Sequence, residues 1–199
     1  MRILTALLLF AACSAAQTNP VKALFTAIRN NDLPAVKSMA AKEGVVNARG
    51  DRETTPLIYA SAYGSLDAMK LLLDAGADVN LKNAFEANAL IWSVNEPKKV
   101  KLLFGHNAGV NAELKTGRTP LMIAALHNGS DRVVDLLLAK GANTKAQDDG
   151  ADVNGKDQTG YTALMNAAMT GDVEFVKLLL SKGAEVNAIS GQKKKHSAS

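Results

Sequence analysis

The chain has 199 residues, 47% hydrophobic and 21% charged, which excludes a disordered or fibrous protein and leaves room for one ordinary core or one short repeat array. Its net charge of +4 sits at the ends: without Arg2 and Lys193 to Lys195 the body holds 19 Lys and Arg against 19 Asp and Glu, so no nucleic-acid footprint is expected. One cysteine, Cys13, and three scattered histidines, His106, His127 and His196, exclude an intrachain disulfide and any zinc-ligand spacing, and neither metal nor cofactor is expected.

In chain order, the first stretch is MRILTALLLFAACSAAQTNP: one basic residue, an apolar run from Ile3 to Ala12, then small residues. This is the pattern of a signal peptide, and the run is too short to span a bilayer comfortably. Two processing readings stay open. Ser14, Ala15 and Ala16 suit a signal peptidase cut that removes residues 1–16. The segment FAAC suits a bacterial lipobox, in which residues 1–12 are removed and Cys13 is lipidated, although Phe10 departs from the usual leucine. Either reading predicts an exported protein, periplasmic or secreted in the first case and membrane-anchored in the second.

After Pro20 the chain repeats itself. TTPLIYASAYGSLDAMKLLLDAGADVN from Thr54 and YTALMNAAMTGDVEFVKLLLSKGAEVN from Tyr161 stay in register without a gap. Anchoring each unit on its threonine position gives Lys22, Thr55, Asn88, Thr119 and Thr162, with units at about 20–49, 50–82, 83–113, 114–156 and 157–188. Each unit reads as two helices. Thr55, Asn88, Thr119 and Thr162 can accept from open N–H groups at a helix start, and Pro56 and Pro120 follow at the first helical position. Gly76, Gly141 and Gly183 suit the left-handed stop of the second helix. Leu71 to Leu73, Leu136 to Leu138, Leu178 to Leu180, and Leu102 with Leu103 and Phe104 give the second helices an apolar surface that only stacking can bury.

The irregular units explain themselves. The first has Ser38, Met39 and Ala40 in place of a leucine triplet, as a cap with one wet face should. In the third, two residues are missing between the helices and Pro97 opens the second. The fourth carries one extra residue in that turn, and then GANTKAQDD followed by its near copy GADVNGKDQ, read as a nine-residue tandem duplication in a hairpin loop. The lengthened loop, Gln147 to Asp157, is either a tolerated insertion or a contributor to binding. Residues 189–199 form a polar, basic tail that reads as a solvated end, with contact to an anionic membrane surface only if Cys13 carries lipid.

The segments TPLIYASAYG, TPLMIAALHNG and TALMNAAMTG, each followed by a leucine triplet, resemble the ankyrin repeat family. The resemblance covers Pro20 to Ala188 and implies an all-α ankyrin repeat solenoid of about five helix-turn-helix units with hairpin loops, preceded by the signal peptide. Where the family usually has a histidine after Thr-Pro-Leu, this chain has Ile58, Ile91, Met122 and Met165, so apolar packing replaces a polar link.

The resemblance also implies binding of a protein partner on a concave surface of hairpin tips and first helices, and the chain is expected to be a monomer. Among the family's variable places, Arg52, Tyr63, Phe85, Arg118 and Tyr161 are the expected binding residues, because aromatic and arginine side chains dominate interface energies. His127 occupies a variable place too, without a histidine in the equivalent place of another unit. Tyr59 and Trp92, four residues after their anchors, are expected to pack into the core against the next unit. No nucleophile with a base, no phosphate loop and no metal cluster appears, so the chain is expected not to be an enzyme. The expected role is a protein-interaction module in the envelope of a bacterial cell, the alternative an inhibitor or immunity-type protein that occludes an enzyme or toxin there.

Overall fold

The computed structural model describes residues 19–126, 131–142 and 152–191. Residues 1–18 with Cys13, residues 127–130 with His127, residues 143–151 of the doubled stretch and the tail from Gln192 lie outside the described residues. Among the described residues every regular element is helical: α1 (Pro20–Arg29), α2 (Leu33–Ala40), a short 3-10 turn (Asp51–Glu53), α3 (Pro56–Tyr63), α4 (Leu66–Asp74), α5 (Ala89–Ser93), α6 (Pro97–Gly105), α7 (Pro120–Ala124), α8 (Asp131–Ala142), α9 (Ala163–Thr170) and α10 (Val173–Ser181).

The helix starts follow from local chemistry. Thr55, Asn88, Thr119 and Thr162 each accept the N–H three residues on, at 3.3, 3.2, 3.3 and 3.3 Å. Each such cap is worth about 1 kcal/mol, since it satisfies one donor the helix cannot pair itself. Pro56, Pro97 and Pro120 stand at the first helical position of α3, α6 and α7. Gly76 and Gly183 follow α4 and α10, both at φ 89°, where a Cβ would be strained.

Two boundaries differ from expectation. The first helix begins at Pro20, before Lys22, because Asn19 accepts the Val21 N–H at 3.0 Å and a lysine cannot cap a start. The core register is unaffected, with Leu24 and Ala27 buried as Leu57 and Ala60 are. Helix α8 runs through Gly141 to Ala142, since glycine permits a left-handed stop without imposing one.

The helices form two layers. In one, α1 packs on α3, α3 on α5, α5 on α7 and α7 on α9; in the other, α2 packs on α4, α4 on α6 and α6 on α8. A single apolar core runs between them from Leu24 to Ala184, with contributions from every helix pair. Burial at about 25 cal/mol per Å² drives this stacking, because no pair of helices can cover its own apolar face.

Asparagines stitch neighbouring units. Asn47 donates to the Gly76 carbonyl and accepts the Asp78 N–H at 3.1 and 2.8 Å; Asn80 does the same with Asn107 and Gly109 at 3.3 and 2.9 Å. Asn154 repeats the pattern with Gly183 and Glu185 at 3.2 and 2.8 Å, and Asn111 accepts the Asp152 N–H at 3.4 Å. The stitch therefore passes through the second copy of the doubled stretch, GADVN, whose Asp152 and Asn154 hold the places that Asp78 and Asn80 hold two units earlier.

Lys99 is an unexpected core residue. It stands where the other second helices carry Ala68, Val133 and Phe175, and it is equally buried, 3% exposed. Its Nζ donates to the Ser61 carbonyl of α3 at 3.1 Å and pairs with Glu96 Oε1 at 2.7 Å. The stem fills the core, and the buried ammonium, bonded to the Ser61 carbonyl and to Glu96, ties unit three to unit two.

Candidate functional site

The hairpin tips are built on one backbone scheme. Within each tip, Gly50, Asn83, Leu114 and Asp157 donate to the carbonyls of Thr54, Ala87, Arg118 and Tyr161 at 2.9, 2.9, 3.0 and 3.0 Å. Successive tips are joined by Ala84 donating to Arg52, Lys115 to Phe85 and Gln158 to Thr116, at 2.9, 3.1 and 2.9 Å. This joining fixes how far a side chain on one tip lies from its neighbour.

The tips of units two and three differ from the rest. The place that Gly117 and Gly160 occupy at φ 77° and 82° holds Glu53 and Glu86 at φ 59° and 64°, and Arg52 beside Glu53 is also left-handed at 54°. Each such non-glycine residue costs about 1–2 kcal/mol. Ion pairs across each tip, Arg49 to Glu53 and Lys82 to Glu86, both at 3.2 Å, brace these conformations. Strain of this kind concentrates where a side chain has to be aimed. Here Arg52 is aimed over the ring of Phe85, its guanidinium 5.6 Å from the centroid.

Below these two tips lies a groove of about 250 Å³, lined by Phe25 of α1, Tyr59 and Tyr63 of α3, Phe85 of the unit-three tip and Trp92 of α5, with Asp51 and Arg52 at its rim. Five of the nine aromatic side chains in the sequence converge on it. Phe25 and Tyr59 stack at 4.4 Å with planes 2° apart, and Tyr59 meets Tyr63 at 5.0 Å. Tyr63 is 64% exposed, Phe85 46% and Trp92 45%, an unusual amount of aromatic surface to leave in water at one place.

The structure thus brings together Arg52, Tyr63 and Phe85 and adds three residues to them. Tyr59 is half-buried, but it stacks on Phe25 of the preceding unit and lines the groove, where the expectation placed it in the core against the next unit. Trp92 corrects the expectation: it lines the groove beside Tyr59 and Tyr63 instead of passing beneath unit four. Helix α5 is only five residues long, so its fourth residue sits at an open end where a large ring has room outside the core. The signal for this was available in the sequence, because Tyr59, Tyr63, Phe85 and Trp92 all belong to adjacent units.

Arg118 and Tyr161 do not join the groove. Arg118 Nε points across to Asp157 Oδ2 at 3.4 Å, linking the fourth tip to the fifth, and the Tyr161 N–H donates to Asp157 Oδ1 at 3.0 Å. Burial works to raise the Asp157 pKa, but hydrogen bonds from the Thr159 hydroxyl, the Tyr161 and Thr159 N–H groups and Arg118 together hold it below its ordinary value. The Arg118 guanidinium thus links two tips, while Tyr161 meets Asp157 through its backbone alone. A larger cleft of about 450 Å³ between α6 and α8 is lined by Lys98, Lys101, Arg132 and Asp135 with Pro97, Leu136 and Ala139. Its charged groups are solvated, and such groups carry little binding energy compared with exposed rings. Among the described residues no group of acidic, histidine or cysteine side chains could hold a metal ion.

The sequence profile for ankyrin repeats (3 copies) matches residues 2–83 and 87–190. The chain belongs to the ankyrin repeat family. Among its relatives are a probable E3 ubiquitin-protein ligase of Oryza sativa subsp. japonica, 32% identical over 68% of this chain and 33% of that protein, and a palmitoyltransferase of Lachancea kluyveri, 29% identical over 83% and 22%. A putative ankyrin repeat protein of fowlpox virus is 29% identical over 79% of this chain and 46% of its own length. The chain spans less than half the length of each, and a bacterial origin gains no support from plant, fungal and viral relatives. Ankyrin repeats serve protein–protein interaction, and the repeat domain itself is not catalytic.

Proposed function

We propose that this ankyrin array is a non-catalytic docking module that holds a partner protein in the aromatic groove of units one to three. The observation that carries the reading is the convergence of Tyr63, Phe85 and Trp92, all substantially exposed, beneath two strained tips. Stacked units and backbone-joined tips present these rings in one fixed array, so binding loses little ordering entropy. The leader MRILTALLLFAAC supports placing the module in the cell envelope, freed by cleavage before Gln17 or anchored through Cys13. An intact mass on the protein from its native cell separates these two, and retention of all 199 residues would remove export from the proposal.

The docking test is affinity capture from a native extract by the wild type, by Tyr63→Ala/Phe85→Ala/Trp92→Ala, and by Arg118→Ala/Tyr161→Ala. The expected result is a partner held by the wild type and the second variant and lost by the first. A partner lost only with Arg118 and Tyr161 would move the docking face to the fourth and fifth tips.

A further inference from the structure

We infer that the occupant of the aromatic groove is a proline-rich segment of the partner in the extended polyproline conformation. This rests on the docking reading above and adds the chemistry of the ligand.

The groove has the hydrogen-bonding character that such a segment lacks. Tyr59 Oη, Tyr63 Oη and Trp92 Nε1 can all donate, and among the described residues none of them has a hydrogen-bond partner. The Arg52 side chain stacks on Phe85 and likewise leaves its N–H groups without a partner among the described residues. A prolyl segment offers carbonyl acceptors and no N–H at each proline, and in the polyproline conformation those carbonyls point outward, unpaired within the segment. An ordinary helix would bring carbonyls already engaged, and an ordinary strand would bring an N–H at nearly every residue to a groove whose Trp92 and Arg52 only donate and whose side-chain acceptors at the rings are the two tyrosine hydroxyls, with Asp51 at the rim.

Charge and shape agree with this. One carboxylate, Asp51, and one guanidinium, Arg52, line the groove and offset each other, so neither a basic nor an acidic segment is favoured. A cation seeking the rings would meet Arg52 already on Phe85. Proline rings fit flat between aromatic faces, and the stacked pair Phe25 and Tyr59 provides a rigid floor for them. Both surfaces are ordered beforehand, which is how a short contact of this size gains useful affinity.

The test uses the chain's one tryptophan, Trp92, as a reporter inside the site. The full chain is titrated with decaproline, with a glycine-serine decapeptide and with a trimethyl-lysine peptide, and Trp92 emission is followed. The expected result is a saturable shift to shorter wavelength with decaproline only. Tyr63→Phe keeps the ring and removes one donor and should weaken binding roughly threefold, whereas Tyr63→Ala removes both and should weaken it about tenfold or more. Tyr63 is 64% exposed, so both variants should fold; their far-ultraviolet circular dichroism and urea midpoints establish that they do. No saturable change with decaproline, an equal response to the glycine-serine peptide, or a response to trimethyl-lysine alone each overturns the inference. If decaproline fails while partner capture still depends on Tyr63, Phe85 and Trp92, the docking face stands and only the proline occupant falls.

Discussion

Lys99 offers a sharp test of how the groove is held open. Replacing it with alanine removes three buried methylenes, at about 0.8 kcal/mol each. The Ser61 carbonyl, in a residue 1% exposed, then loses its donor, which costs roughly another 1 kcal/mol. The total is about 3–4 kcal/mol, a large share of the 5–15 kcal/mol of a typical domain. Lys99→Met keeps a chain of the same length and removes the ammonium; it leaves the carbonyl unpaired but avoids desolvating a charge, so about 1 kcal/mol or less should be lost. The bond to Glu96, 57% exposed at its side chain, adds little in either case. Urea denaturation followed by circular dichroism measures both variants, and the gap between them should be about 2 kcal/mol. A methionine variant as unstable as the alanine one would show that the charge, not the stem, holds the position, and would refute the packing account. Because Lys99 ties α6 to the helix that carries Tyr59 and Tyr63, the alanine variant should also lose order at Trp92 before the rest of the array, since repeat interfaces can open one at a time.

Other outcomes follow from single contacts. Glu86→Gly relieves a residue held at φ 64° and gives up one exposed ion pair, so it should stabilise the array by roughly 0.5–1 kcal/mol in the same urea assay. Gly50→Ala puts a Cβ 2.7 Å from Phe25 Cε2; Phe25 must turn off Tyr59, and both stability, by about 1–3 kcal/mol, and partner capture should fall. Asp157 is more acidic when folded than its ordinary 3.8, so its contribution is full above that value and is lost as the pH falls through the lower folded value. Asp157→Asn, which keeps the oxygen that accepts from Thr159 and Tyr161, should flatten this acid limb in urea midpoints measured across that range.

Most of the fold was legible in the sequence because ankyrin units are local. Thr55, Asn88, Thr119 and Thr162 start their helices through bonds to residues three positions away, and Gly76 and Gly183 end theirs by their own φ. Such decisions need no knowledge of what stands opposite. The site was legible only in part. Arg52, Tyr63 and Phe85 followed from their places in the unit, but Arg118 and Tyr161 stand on the tips of units four and five, away from the groove, and the Arg118 guanidinium is taken up by Asp157 of the neighbouring tip. The environments of Lys99 and Trp92 were likewise beyond a unit-by-unit reading. One fills a core position because the Ser61 carbonyl of the preceding unit and Glu96 meet its ammonium, and the other turns outward from a five-residue helix. Sequence alone determined the period, the caps and the apolar faces, since these are set by neighbours along the chain. Tertiary structure alone decided which side chains share a groove, since that depends on how far each unit is turned and joined against the next.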